Sequence, residues 1–87
     1  MQHHYRRAYA SYMEKDRLDN EYRAALGRCI RDLRTSQGLS LRTFGKMIGV
    51  DYQHVMNVEN GKCGVTIDVL YRIASGLGVR VKDLISF

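Results

Sequence analysis

Few side chains in this 87-residue chain could do chemistry, and their spacing excludes most reactions. The three histidines are His3, His4 and His54, with no Ser–His–Asp order, HExxH or P-loop around them. Cys29 and Cys63 make neither a CxxC pair nor a disulfide framework, and Cys29 falls in a helical pattern as a small core filler or partly exposed thiol. The chain is therefore expected not to be an enzyme, and to carry no cofactor and no functional metal. What remains is a row of outward-facing side chains, Tyr52, Gln53, Met56 and Asn57, within the stretch Leu39–Gly61, LSLRTFGKMIGVDYQHVMNVENG.

That stretch reads as two short helices joined by a tight turn. Gly49 lies where the chain must reverse, and Asp51 where the second helix must be capped. Ser40 caps the first of the pair, whose buried side is expected to be Phe44, Met47 and Ile48, while Gly45 marks a close helix–helix approach. Val55 and Val58 turn the second helix inward, and Gly61 stops it. Two amphipathic helices around a glycine-containing turn form a helix-turn-helix, the geometry that presents its second helix to a DNA major groove.

The flanking elements are also helical. From about Glu21 to Gln37, Tyr22, Leu26, Ile30 and Leu33 recur at helical spacing, Arg23, Arg28 and Arg31 fall on other faces, and Gly38 ends the pattern. After the loop Lys62–Val65, Thr66 caps a helix buried through Leu70, Ile73, Ala74 and Leu77, with Asp68 in its first turn and Gly78 at its end. A short last helix uses Val81, Leu84 and Ile85. Residues 1–20 form an N-terminal extension with Tyr5, Tyr9 and Tyr12 as an aromatic stripe beside Ala8 and Met13. A charged run, Glu14–Arg17, follows, and Asp19–Asn20 offers an N-cap, so the extension is either its own helix or part of the next. The domain proper is 21–87, an all-α unit with no candidate strand, repeat or low-complexity segment.

Composition agrees. The length suits one domain, and 45% apolar residues favour folding over disorder. The absence of Pro suits a nearly all-helical chain. No apolar run approaches the ~20 residues needed to span a bilayer, or the ~7–15 of a signal peptide, so no membrane role and a cytoplasmic location are expected. A formal charge of +5 and a pI near 9.5 suggest an anionic partner.

The segments LGRCIRDLRTSQGLS, FGKMIGVD, VMNVENGK and TIDVLYRIASGLGVRVKDL together resemble the lambda-repressor-like, or Xre-type, helix-turn-helix domain, over Leu26–Leu84. The resemblance implies a five-helix fold and a sequence-specific regulator, in the first instance a repressor, that binds double-stranded DNA as a homodimer on a palindromic operator. It places the recognition helix at about 51–60. Tyr52, Gln53 and Asn57 fall where the family contacts bases, and Gln and Asn can each pair bidentately with the N6/N7 edge of adenine. Met56 and His54 have weaker claims. The resemblance also pairs Arg34, late in the first helix, with Glu59, near the end of the recognition helix, as a structural ion pair.

One departure matters. The family carries Gln just after the cap of the second helix, where it reaches a phosphate, and Leu41 stands there in this chain. Residues 1–46 carry ten Lys/Arg against five Asp/Glu, whereas residues 47–87 carry four of each. Phosphate contacts are therefore assigned to Arg42, Thr43 and Lys46 before the turn, and to Asn60 and Lys62 after the helix. The dimer surface is either the last helix with Val81, Ile85 and Phe87, or the tyrosine stripe. Two other readings use the same fold: an antitoxin whose residues 1–20 grip a toxin partner, and a protein-interaction module with weak DNA affinity.

Overall fold

Arg17 and Glu21 face each other one turn apart, their side chains 3.1 Å apart, across the point where Asp19–Asn20 offered a cap. The cap is not used. A single helix, α1 (Tyr12–Ser36), runs through it without a break. This computed structural model describes residues 12–87, with side chains from Glu14 onward. The side chains of the Tyr5–Tyr9–Tyr12 stripe, together with His3 and His4, lie outside the described residues.

The described residues form five helices, the others being α2 (Leu41–Ile48), α3 (Tyr52–Glu59), α4 (Ile67–Leu77) and α5 (Val81–Leu84). Three start at side-chain caps foreseen from residue type. The Ser40 hydroxyl accepts from the Thr43 N–H at 3.0 Å, the Asp51 carboxylate from Gln53 N–H at 2.8 Å, and the Thr66 hydroxyl from Val69 N–H at 3.3 Å. The ends of α1, α3 and α4 also fall as expected, just before or at Gly38, Gly61 and Gly78.

The α2–α3 turn depends most on its glycines. Gly49 sits at φ +70°, and the Val50 N–H donates back to the Gly45 carbonyl at 3.0 Å. A Cβ on Gly45 would stand 2.7 Å from the Val50 carbonyl oxygen and 3.2 Å from Tyr52 Cα, so the turn closes only because that position lacks a side chain. Gly27, in the middle of α1, plays the same part toward α3. A Cβ there would run into the Glu59 carbonyl oxygen and lie 2.6 Å from that of Val58.

The core gathers one stripe from each helix: Leu26 and Ile30 from α1, Phe44 and Ile48 from α2, Val55 and Val58 from α3, Leu70, Ile73, Ala74 and Leu77 from α4, and Leu84 from α5. Burying a large apolar side chain contributes about 1.5–3 kcal/mol, so this cluster is the main stabilising term. Two residues expected inside are not. Tyr22 is 55% exposed because α1 reaches past the helices that would cover it, and its ring meets Phe87 instead, centroids 6.1 Å apart. Met47 is 52% exposed because α2 turns Phe44, Gly45 and Ile48 inward, leaving Met47 at the rim beside Tyr71.

Candidate nucleic-acid interface

Helix α3 is held from behind by a buried ion pair. Arg34 Nε donates to Glu59 Oε2 at 2.6 Å and Nη2 to Oε1 at 2.9 Å, a bidentate fork between α1 and α3. Nη1 donates to the Leu39 carbonyl at 2.6 Å, which also ties in the start of the helix-turn-helix. Both residues are buried, at 8% and 5% exposure. The hydrogen bond to Glu59 pushes the Arg34 pKa above its usual value, against the opposing effect of burial. With both ends of the carboxylate held, α3 cannot rotate about its axis without breaking the fork.

Rotation is what would otherwise blur the outer face. With Val55, Val58 and Glu59 inward, Gln53 is exposed, and Tyr52, Met56 and Asn57 are half-buried toward the same open side. His54 is half-buried as well. The residues assigned to phosphates stand exposed on both flanks: Arg42, Thr43 and Lys46 on α2, and Asn60 and Lys62 beyond the C-terminus of α3. Arg42, Lys46 and Tyr52 share the walls of a depression of about 440 Å³ between α2 and the start of α3. Leu41, the departure from the family pattern, is half-buried against the core, so its side chain serves packing.

The contacts of three arginines escaped the sequence reading. Arg31, placed on another face of α1, points at α3: Nη2 donates to the Asn60 side-chain carbonyl, and Nε lies 3.7 Å from Glu59 Oε1. Its position three residues before Arg34, on the same helical side, was the available signal. Arg72 on α4 donates to the Gly49 carbonyl at 3.2 Å, bracing the turn across a sequence distance that no local pattern reveals. Arg42 donates to the Tyr52 hydroxyl at 3.1 Å while its guanidinium lies 4.3 Å from that ring's centroid. A phosphate candidate and a base candidate are thus joined.

Among the described residues, no group of three or more His, Cys, Asp or Glu is placed to hold a metal, and no helix is long and apolar enough to cross a membrane. Cys29 lies against α5, its thiol 3.6 Å from the Asp83 carbonyl oxygen. Burial pushes its pKa up, and the negative charges of Asp32 and Asp83 add to the effect.

Two short helices around a left-handed glycine, the second locked from behind and lined with uncharged polar groups between cationic flanks, define a helix-turn-helix of the DNA-reading type. The helix-turn-helix family profile matches residues 30–84, and the chain belongs to that family, in its lambda-repressor-like branch of DNA-binding transcription regulators. It is 31% identical over 68 residues to the control protein C.MunI of a Mycoplasma species, a match covering 77% of this chain and 92% of the relative. Among solved structures it is similar to the restriction-modification controller protein C.AhdI from Aeromonas hydrophila, with TM-score 0.70, 31% identity, and 71% and 94% of the two chains covered. It is also similar to a helix-turn-helix transcriptional regulator from Vibrio cholerae, with TM-score 0.73, 29% identity, and 78% of this chain and 38% of that chain covered.

Proposed function

We propose that this chain is a cytoplasmic transcription regulator that binds a palindromic operator as a homodimer, with α3 of each subunit in a major groove. Tyr52, Gln53 and Asn57 read base edges, and Arg42, Thr43, Lys46, Asn60 and Lys62 hold phosphates. Similarity over 92% and 94% of the lengths of a control protein and a restriction-modification controller protein supports a role in controlling genes of that kind, by occupying their operator. The observation that carries the reading is the Arg34–Glu59 fork, which fixes the rotation of a helix whose outer face is polar and accessible.

Dimerisation is assigned to the side of the molecule away from the turn. Tyr22, Ile85 and Phe87 are exposed there around a groove of about 370 Å³ formed by α1, Gly64 of the α3–α4 loop and the residues after α5. Exposed aromatic and aliphatic side chains clustered at one place are the usual anchor of a subunit contact.

Selection of bound sequences from random DNA, run at two salt concentrations, tests the function. A palindromic motif is expected. If Arg42, Lys46 and Lys62 each meet one phosphate in both subunits, the log–log salt slope should be roughly −5. Gln53→Ala should weaken binding to the selected site and leave non-specific binding intact. Failure to enrich any motif would overturn the proposal.

A further inference from the structure

Arg42 and Tyr52 lie on opposite sides of the α2–α3 turn, ten residues apart, yet make two contacts with each other. The guanidinium covers the ring at 4.3 Å, and Nη2 donates to the phenolic oxygen at 3.1 Å. The two contacts restrain different freedoms. Coverage of the ring limits its swing about χ1 and χ2, and the hydrogen bond fixes where the hydroxyl oxygen sits. Because that oxygen accepts from Arg42, its own hydrogen remains available to a further acceptor, and the adjacent positive charge makes it a stronger donor.

We infer that Arg42 is a positioning residue for Tyr52, and that the two act as one base-reading unit at the N-terminal end of α3. The inference rests on the DNA-reading role proposed above. Leu41, whose side chain packs on the core, provides no polar brace at the start of α2, and Arg42, the next residue along, makes that link instead. The turn keeps the unit in register: Asp51 caps α3 one residue before Tyr52, and the absent Cβ at Gly45 lets Tyr52 approach α2. The chemistry recognised is a hydrogen-bond acceptor on a base edge, such as thymine O4 or guanine O6 and N7. An Arg42 that only met a phosphate would strengthen binding to every sequence alike.

The experiment is sequence selection by the full-length protein and its Arg42→Lys, Tyr52→Phe and doubly substituted forms. Lysine keeps the charge but loses the planar fork, and phenylalanine keeps the ring but loses the hydroxyl. Arg42 is exposed, and half-buried Tyr52 keeps its ring as phenylalanine, so melting temperatures should stay near that of the wild type. The expected result is that Arg42→Lys and Tyr52→Phe relax preference at the same base pair, each by about three- to tenfold, with no further loss in the double variant. An unchanged motif with uniformly weaker binding in Arg42→Lys would overturn the inference while leaving the DNA-reading function intact. Additive losses at separate base pairs would also overturn it. A wild-type protein that enriches no motif would remove the proposed function, and this inference with it.

Discussion

Replacing Glu59 with Ala removes the acceptor at the centre of the α1–α3 junction. The carboxylate takes two hydrogen bonds from Arg34 and lies 3.7 Å from Arg31 Nε, all within a site 5% exposed. Arg34 would keep only the Leu39 carbonyl as partner, leaving a buried cation with its Nε and Nη2 hydrogens unmatched. Removing one member of a buried pair costs about 3–5 kcal/mol, chiefly because the other charge stays buried. At ~0.05–0.15 kcal/mol per residue, the total stability of an 87-residue domain is about 4–13 kcal/mol, so the loss is a large share of it. With about 4–8 °C of melting temperature per kcal/mol at this size, Glu59→Ala should melt roughly 12 °C or more below the wild type. Thermal unfolding followed by circular dichroism measures this. The Arg34→Met, Glu59→Leu double variant removes both charges and should lose less than Glu59→Ala alone. A Glu59→Ala melting temperature unchanged within error would refute the reasoning, as would a double variant worse than the sum of the single ones.

Other expectations are equally direct. Gly27→Ala should lower stability by about 1–3 kcal/mol despite ~1 kcal/mol of better helix propensity, because the new methyl meets the α3 backbone; a higher melting temperature would contradict the close approach. Light scattering on the full chain should give a dimer that Ile85→Asp converts to monomer, and a monomeric wild type would remove the assigned surface. The raised pKa of Cys29 means that the folded state holds the thiol proton more tightly than the unfolded chain. The associated stability is fully present below the free-thiol pKa and is lost as pH rises through the folded value. In a Cys63→Ser background, alkylation of native Cys29 should therefore reach its half-maximal rate at higher pH than in denaturant, and the reverse order would contradict the burial.

Much of this architecture is local and can be read from residue order alone. Ser40, Asp51 and Thr66 cap helices because a short polar side chain can reach the free N–H groups of the next turn, and Gly49 reverses the chain because it alone takes a positive φ without penalty. The inward stripes of α2, α3 and α4 follow from helical periodicity. Arg34 and Glu59 were matched through a family pattern, since nothing in their own neighbourhoods marks residues on different helices as partners. Tertiary structure alone decided how far α1 extends beyond the core, and hence that Tyr22 faces outward. It also decided that Met47 stays at the rim, and that Gly27 is required by a backbone contact with α3. The links made by Arg31, Arg42 and Arg72 belong to the same class. A long cationic side chain can reach many acceptors, and which it finds depends on the helix brought alongside. Sequence thus determined the helices and the turn between α2 and α3, where the interactions are short-range. The orientation of the outer face of α3, and the pairing of Arg42 with Tyr52 on it, came only with the packing of α1 and α2 against α3.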